Sequence, residues 1–109
     1  MTTIREILIA ARAKIERPEA WTRGAAARTG SGKSLPPEKA SRGQCWCAAG
    51  AAWSIVGCQT DASHTAINCL SELVHEEFNI GVASYNDAPT TTHADILALF
   101  DRAIAATET

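Results

Sequence analysis

The sequence predicts a mainly α-helical, compact domain of about four helices, with a short irregular or β-hairpin insertion between the first and second. Three observations carry that prediction. Apolar residues recur at 3.6-residue spacing in separate windows. Capping-box pairs stand at the head of the first and last windows, Thr3 with Glu6 and Thr92 with Asp95. Between the first two windows, Gly24, Gly30, Gly32, Pro36, Pro37 and Gly43 exclude a long helix.

The first helix is predicted over residues 3–17. Ile4, Ile7, Leu8, Ala11 and Ile15 form one stripe, and Pro18 stops the helix by restricting the residue before it and withholding an amide hydrogen. Trp21 follows and anchors the exit of this helix against the core. Residues 22–44 form the loop or hairpin insertion, with Thr29-Gly30-Ser31-Gly32 as a turn that returns the chain through Lys33-Ser34-Leu35. The same stretch holds a loose phosphate-loop match, Ala27 followed after four residues by Gly32-Lys33-Ser34. Phosphate binding needs a core strand before the glycine-rich turn and a helix directly after it. Here alanine replaces the first glycine, no hydrophobic strand precedes it, and Leu35-Pro36-Pro37 blocks the helix, so no nucleotide site is expected.

The central helix is predicted to start between Cys45 and Cys47 and to end near Gly57. Cys47, Ala48, Ala51, Ile55 and Cys58 share one thin face, and Trp53 points elsewhere, under the connection. Gly50 inside this helix costs about 1 kcal/mol relative to alanine, which suits a place where another backbone or a ligand comes close. A third helix is predicted over residues 62–78, capped by Asp61 or Ser63. Its broad face is Ala66, Ile67, Leu70, Leu73, Val74 and Phe78, and Glu72, Glu76 and Glu77 make its outer side acidic. Residues 79–85 are expected to be a connection in which Gly81 takes unusual backbone angles. The last helix follows Thr92, with Ile96, Leu97, Phe100, Ala103 and Ile104 inward, and residues 105–109 fray. One core is expected from Ile4, Ile7, Leu8, Ala51, Ile55, Ile67, Leu70, Val74, Ile96, Leu97 and Phe100.

A chain of 109 residues with 46% hydrophobic and 20% charged residues is read as a single globular domain over 1–109. A net charge of -2 argues against general nucleic-acid binding, although Arg23, Arg28, Lys33, Lys39 and Arg42 give the first half a basic stretch. No signal-peptide core and no membrane span is visible, and the four cysteines read as reduced thiols of a cytoplasmic protein. No zinc site is expected, because Cys45, Cys47, Cys58, Cys69, His64, His75 and His93 lack the paired spacing of structural sites; no cofactor is expected either.

The quoted residues also resemble a family. Trp21-Thr22-x-Gly24, then Arg42 with Trp46-Cys47-Ala48-x-Gly50-Ala51, form its first block. Asn86-Asp87, Thr92-His93 and Ile96-Leu97-Ala98-Leu99-Phe100-Asp101-Arg102-Ala103 form its second. Across nearly the whole chain this is similar to a family of small bacterial and phage-associated proteins with no established activity. The resemblance implies a shared fold and a shared site; Cys45, Cys58 and Cys69 lie outside its pattern.

Two functions compete on these residues. The first is a cytoplasmic binding or interaction domain, an accessory protein of bacterial or phage origin, whose partner is an unidentified protein or small molecule. Trp46, Arg42, Gly50 and Tyr85 are its candidate binding residues. The alternative is a cysteine-dependent hydrolase that transfers acyl or amide groups through a thioester. Cys47 is its nucleophile near a helix start, His93 its base, and Asn86 or Asp87 orients the imidazole. The favoured reading of the same residues is structural: Cys47 as a small buried residue, His93 as a packed first-turn residue, and Asn86-Asp87 as a turn that caps itself.

Overall fold

A computed structural model of the chain describes residues 3–107. It shows a compact, mainly helical domain with a small three-stranded sheet set between the first two helices. Among the described residues there are five α-helices rather than four: α1 Ile4–Lys14, α2 Ala48–Val56, α3 Asp61–Phe78, α4 Val82–Asp87 and α5 His93–Ala106.

Helix α1 begins as its sequence specifies. Thr3 accepts the amide of Glu6, and the Glu6 carboxylate takes the Thr3 amide in return. The helix stops at Lys14, earlier than Pro18 alone would require, with Ile15 as its C-cap. Arg17 is extended, as a residue before proline prefers, and Pro18 opens the 3-10 turn Pro18–Ala20.

The insertion is a hairpin with a third strand added. Strand β1 (Ala27–Arg28) lies in the centre, antiparallel to β2 (Ser34–Leu35) on one side and to β3 (Cys45–Trp46) on the other. The expected turn joins β1 to β2, closed by Gly32 N–H donating to Thr29 O and Lys33 N–H to the Thr29 hydroxyl. Lys33 therefore stands in a strand–turn–strand unit, with no helix following it. The 3-10 turn Pro37–Arg42 carries the chain back to β3. Cys45 and Trp46, expected at the head of the central helix, are strand residues; a two-residue strand carries no alternation to reveal it.

Helix α2 thus starts at Ala48, with Cys47 as its N-cap. Ala48, Ala51 and Ala52 are fully buried, and their small side chains let α1, α3 and the Pro37–Arg42 turn pack around α2. Gly50 is required by a backbone: a Cβ there would lie 1.7 Å from the carbonyl oxygen of Ala26.

Thr60, rather than Asp61 or Ser63, caps α3 by accepting the amide of Ser63. The left-handed residue that ends α3 is Asn79, at φ 60°, whereas Gly81 is extended at φ -83°. Helix α4 occupies the span read as a connection. It is six residues long, and its first amide is taken by the Ser71 hydroxyl of α3, so its signal is not local in sequence. Thr92 and Asp95 form the expected capping box of α5. Helix α5 continues through Ala106, so Ala105 and Ala106 are helical where fraying was expected, and residues 108–109 of that tail lie outside the described residues.

One hydrophobic cluster joins all five helices with β1 and β3, and Ile7, Leu8, Ile15, Leu70, Val74, Ile96 and Phe100 are among its largest fully buried side chains. Ile4, Ile67 and Leu97 pack against it partly buried. Ile55 is only half-buried and stands outside the cluster; the inward face of so short a helix is taken by alanines. Phe78, placed on the core face by its spacing, is 49% exposed. None of the described helices is long and apolar enough to cross a membrane.

Candidate functional site

Asn86, on the last turn of α4, is fully buried and uses its whole hydrogen-bonding capacity. Its Oδ1 accepts the indole N–H of Trp21 at 2.7 Å and the backbone N–H of Ala48 at 3.0 Å. Its Nδ2 donates to Thr22 O at 3.0 Å and to Asp87 Oδ1 at 3.1 Å. Asp87 Oδ1 also accepts the amide of Gly24 at 2.9 Å. One buried amide therefore fastens the start of the insertion, the first amide of α2 and α4 to one another.

Cys47 stands next to this junction, and its Sγ accepts the amide of Gly50 at 3.2 Å. The helix start does supply the amides expected to favour a thiolate. Burial outweighs them and raises the thiol above its ordinary value of 9.0, and the Asp87 carboxylate adds to the rise. The thiol is the neutral form at pH 7, where a lowered pKa was expected. Cys47 and Asp87 both line a hollow of about 240 Å³.

His93 takes another direction. At the first residue of α5, its Nε2 is 2.6 Å from the carbonyl oxygen of Ile15, and its ring lies against Trp21 with centroids 5.9 Å apart. The structure brings together Cys47, Asn86 and Asp87; His93 joins them only through the Trp21 ring, and none of the described hydrogen bonds links it to Cys47, Asn86 or Asp87. Arg23 covers the same indole at 4.7 Å and donates to Thr91 O.

The four candidate binding residues separate. Trp46 is a core residue whose indole N–H donates to Ala40 O at 2.6 Å, with the Lys14 ammonium 4.5 Å above its ring. Gly50 is buried against Ala26, Arg42 is exposed at the end of its 3-10 turn, and Tyr85 stacks on Phe78 with centroids 5.2 Å apart. Among the described residues no group of three or more His, Cys, Asp or Glu side chains is placed to hold a metal ion.

The sequence of this fold matches a known family over residues 1–106. The chain belongs to DUF6197, a family of unknown function. No curated protein and no solved structure matches it. The resemblance read from the motifs is met at the level of a family without an established activity.

A second surface of this DUF6197 member was missed from sequence. Phe78 and Ile80, 49% and 37% exposed, stand at the end of α3 and just beyond it. Together with the half-buried Tyr85 they form an apolar ridge, and Ile80 lines two hollows. One, of about 450 Å³, is walled by Ser71, Glu72, His75, Glu76 and Ile80; the other, of about 430 Å³, by Glu77, Phe78, Tyr85, Thr91 and Asp95. Burial, together with the Asp95 and Glu77 carboxylates, raises the Tyr85 phenol above its ordinary value of 10.0. Periodicity placed Phe78 inward because α3 runs one turn past the core it covers.

Proposed function

We propose that the protein is an interaction domain whose α3–α4 ridge receives a positively charged protein segment carrying an apolar anchor. The observation that carries this reading is the exposed Phe78 stacked on a half-buried Tyr85, with exposed Ile80 lining two hollows beside it. Large apolar side chains gathered on one surface are a mark of a docking site, and aromatic residues dominate such interfaces. Glu72, Glu76 and Asp95 stand at the edges, and Glu77 shares its charge with Arg102 at 3.2 Å. That rim favours lysine and arginine on the partner and sets its approach.

The thiol-hydrolase alternative has less behind it. A nucleophile needs a base within reach and a lowered pKa; burial raises the Cys47 thiol, and His93 engages Ile15 O instead. The domain is taken as one unit over residues 1–109, and the cysteines, free thiols among the described residues, fit a reducing cytoplasm.

Titrating labelled protein with a short Lys/Arg-rich peptide bearing one leucine or tryptophan tests the reading. Amide shifts are expected to gather at residues 75–85 and 91–95, to weaken with salt, and to vanish in Phe78→Ser while the melting temperature stays. Shifts absent or spread elsewhere would remove the ridge from consideration.

A further inference from the structure

A different surface, on the other side of α4, suggests a small-molecule site independent of the ridge. Ala26 of the insertion, Ala49 and Trp53 of α2, and Ala83 of α4 wall a hollow of about 240 Å³, with Cys47 and Asp87 as its polar members. Short side chains from three elements leave this space. A hollow of this size suits an occupant of only a handful of heavy atoms.

The polar wall decides the sign of charge. Asp87 Oδ1 is held by the Gly24 amide and by Asn86 Nδ2, and none of the described ion pairs includes this carboxylate. Its negative charge reaches the Cys47 thiol, whose Sγ accepts the Gly50 amide. A fixed carboxylate beside methyl groups attracts a cation with a short apolar body and repels an anion. The described residues here offer no set of ligands for a metal ion.

We infer that the hollow between α2, α4 and the insertion binds a small aliphatic amine, its ammonium on Asp87 and its alkyl body against Ala26, Ala49, Ala83 and Trp53. The occupant reaches past Cys47 without reacting, since a neutral thiol and an amine exchange no bond.

The test uses n-butylammonium, with n-butanol and butyrate as uncharged and anionic counterparts. Saturable amide shifts at Gly24, Ala26 and Ala49 are expected with a Kd of about 1–10 mM, the range for so few heavy atoms. Butylammonium is also expected to slow the alkylation of Cys47. Asp87→Asn keeps an oxygen for the Gly24 amide and removes the charge; affinity should fall about tenfold or more with the spectrum otherwise folded. Ala83→Leu, at an exposed position of a helix, fills the hollow and should abolish both effects. Equal binding of butanol, unchanged binding by Asp87→Asn in a folded spectrum, or no saturation by about 100 mM overturns the inference.

Discussion

At the scale of single residues, Cys47 and Gly50 show how a reactive-looking motif becomes architecture. Cys47 donates no chemistry to its surroundings; its sulfur accepts an amide that the first turn of α2 would otherwise leave unpaired. Replacing it by alanine removes that cap and should cost about 0.5–2 kcal/mol in urea unfolding, whereas Cys47→Ser should retain most of it. Burial holds the folded thiol above 9.0, so the native state keeps a proton that the unfolded chain gives up. Its contribution is complete below the unfolded thiol's pKa and is lost as pH rises from there through the folded value. Wild type should therefore lose stability relative to Cys47→Ser above about pH 8.5, and a parallel pH profile for the two proteins would refute the burial effect. Gly50→Ala is a sharper case. Helix preference would gain about 1 kcal/mol, but the new methyl would meet Ala26 O at 1.7 Å. Overpacking against backbone costs ~1–3 kcal/mol or more, so equilibrium unfolding should show net destabilisation.

At the scale of elements, the long helices were legible and the short pieces were not. Helices α1, α3 and α5 have repeated apolar stripes, and α1 and α5 carry capping boxes written in adjacent residues. Leu70, fully buried at the middle of α3, is the plain test of that reading: Leu70→Ala should cost ~2–5 kcal/mol, measured by chemical denaturation. The hairpin turn was legible too, because its glycines sit between polar residues. Strand β3 and helix α4 were hidden for a shared physical reason. Each is held by partners far along the chain, β3 by the β1 backbone and α4 by the Ser71 hydroxyl. Two- and six-residue elements offer too few positions for a period to show. The same limit hid the ridge: the spacing that places Phe78 with Leu70 and Val74 contains nothing about where the covering layer ends.

At the scale of the whole molecule, the polar junction at Asn86 divides labour with the apolar core. The core binds the helices to one another, while Asn86 ties the insertion to them through Trp21, Thr22 and Ala48. Asn86 and Asp87 were singled out in the sequence, as orienters of an imidazole; the imidazole lies instead against Trp21 with its Nε2 at the Ile15 carbonyl, and the amide serves backbone and indole. Truncating Asn86 to alanine leaves the Trp21 N–H, the Ala48 N–H and the Thr22 carbonyl without their partner. The buried Ala48 amide so stranded costs about 1–3 kcal/mol and the part-buried Trp21 and Thr22 groups add less each, against the ~5–15 kcal/mol that holds a domain folded. The loss should be uneven in space. Amide exchange in Asn86→Ala is expected to accelerate most over residues 21–28 and 44–48, where the insertion meets α2. Amides in the middle of α3 and α5, packed on Leu70, Ile96 and Phe100, should retain protection closer to the global limit. Uniform acceleration across all of these amides would mean that the insertion and the helical core unfold as a single unit, and that the junction holds both equally.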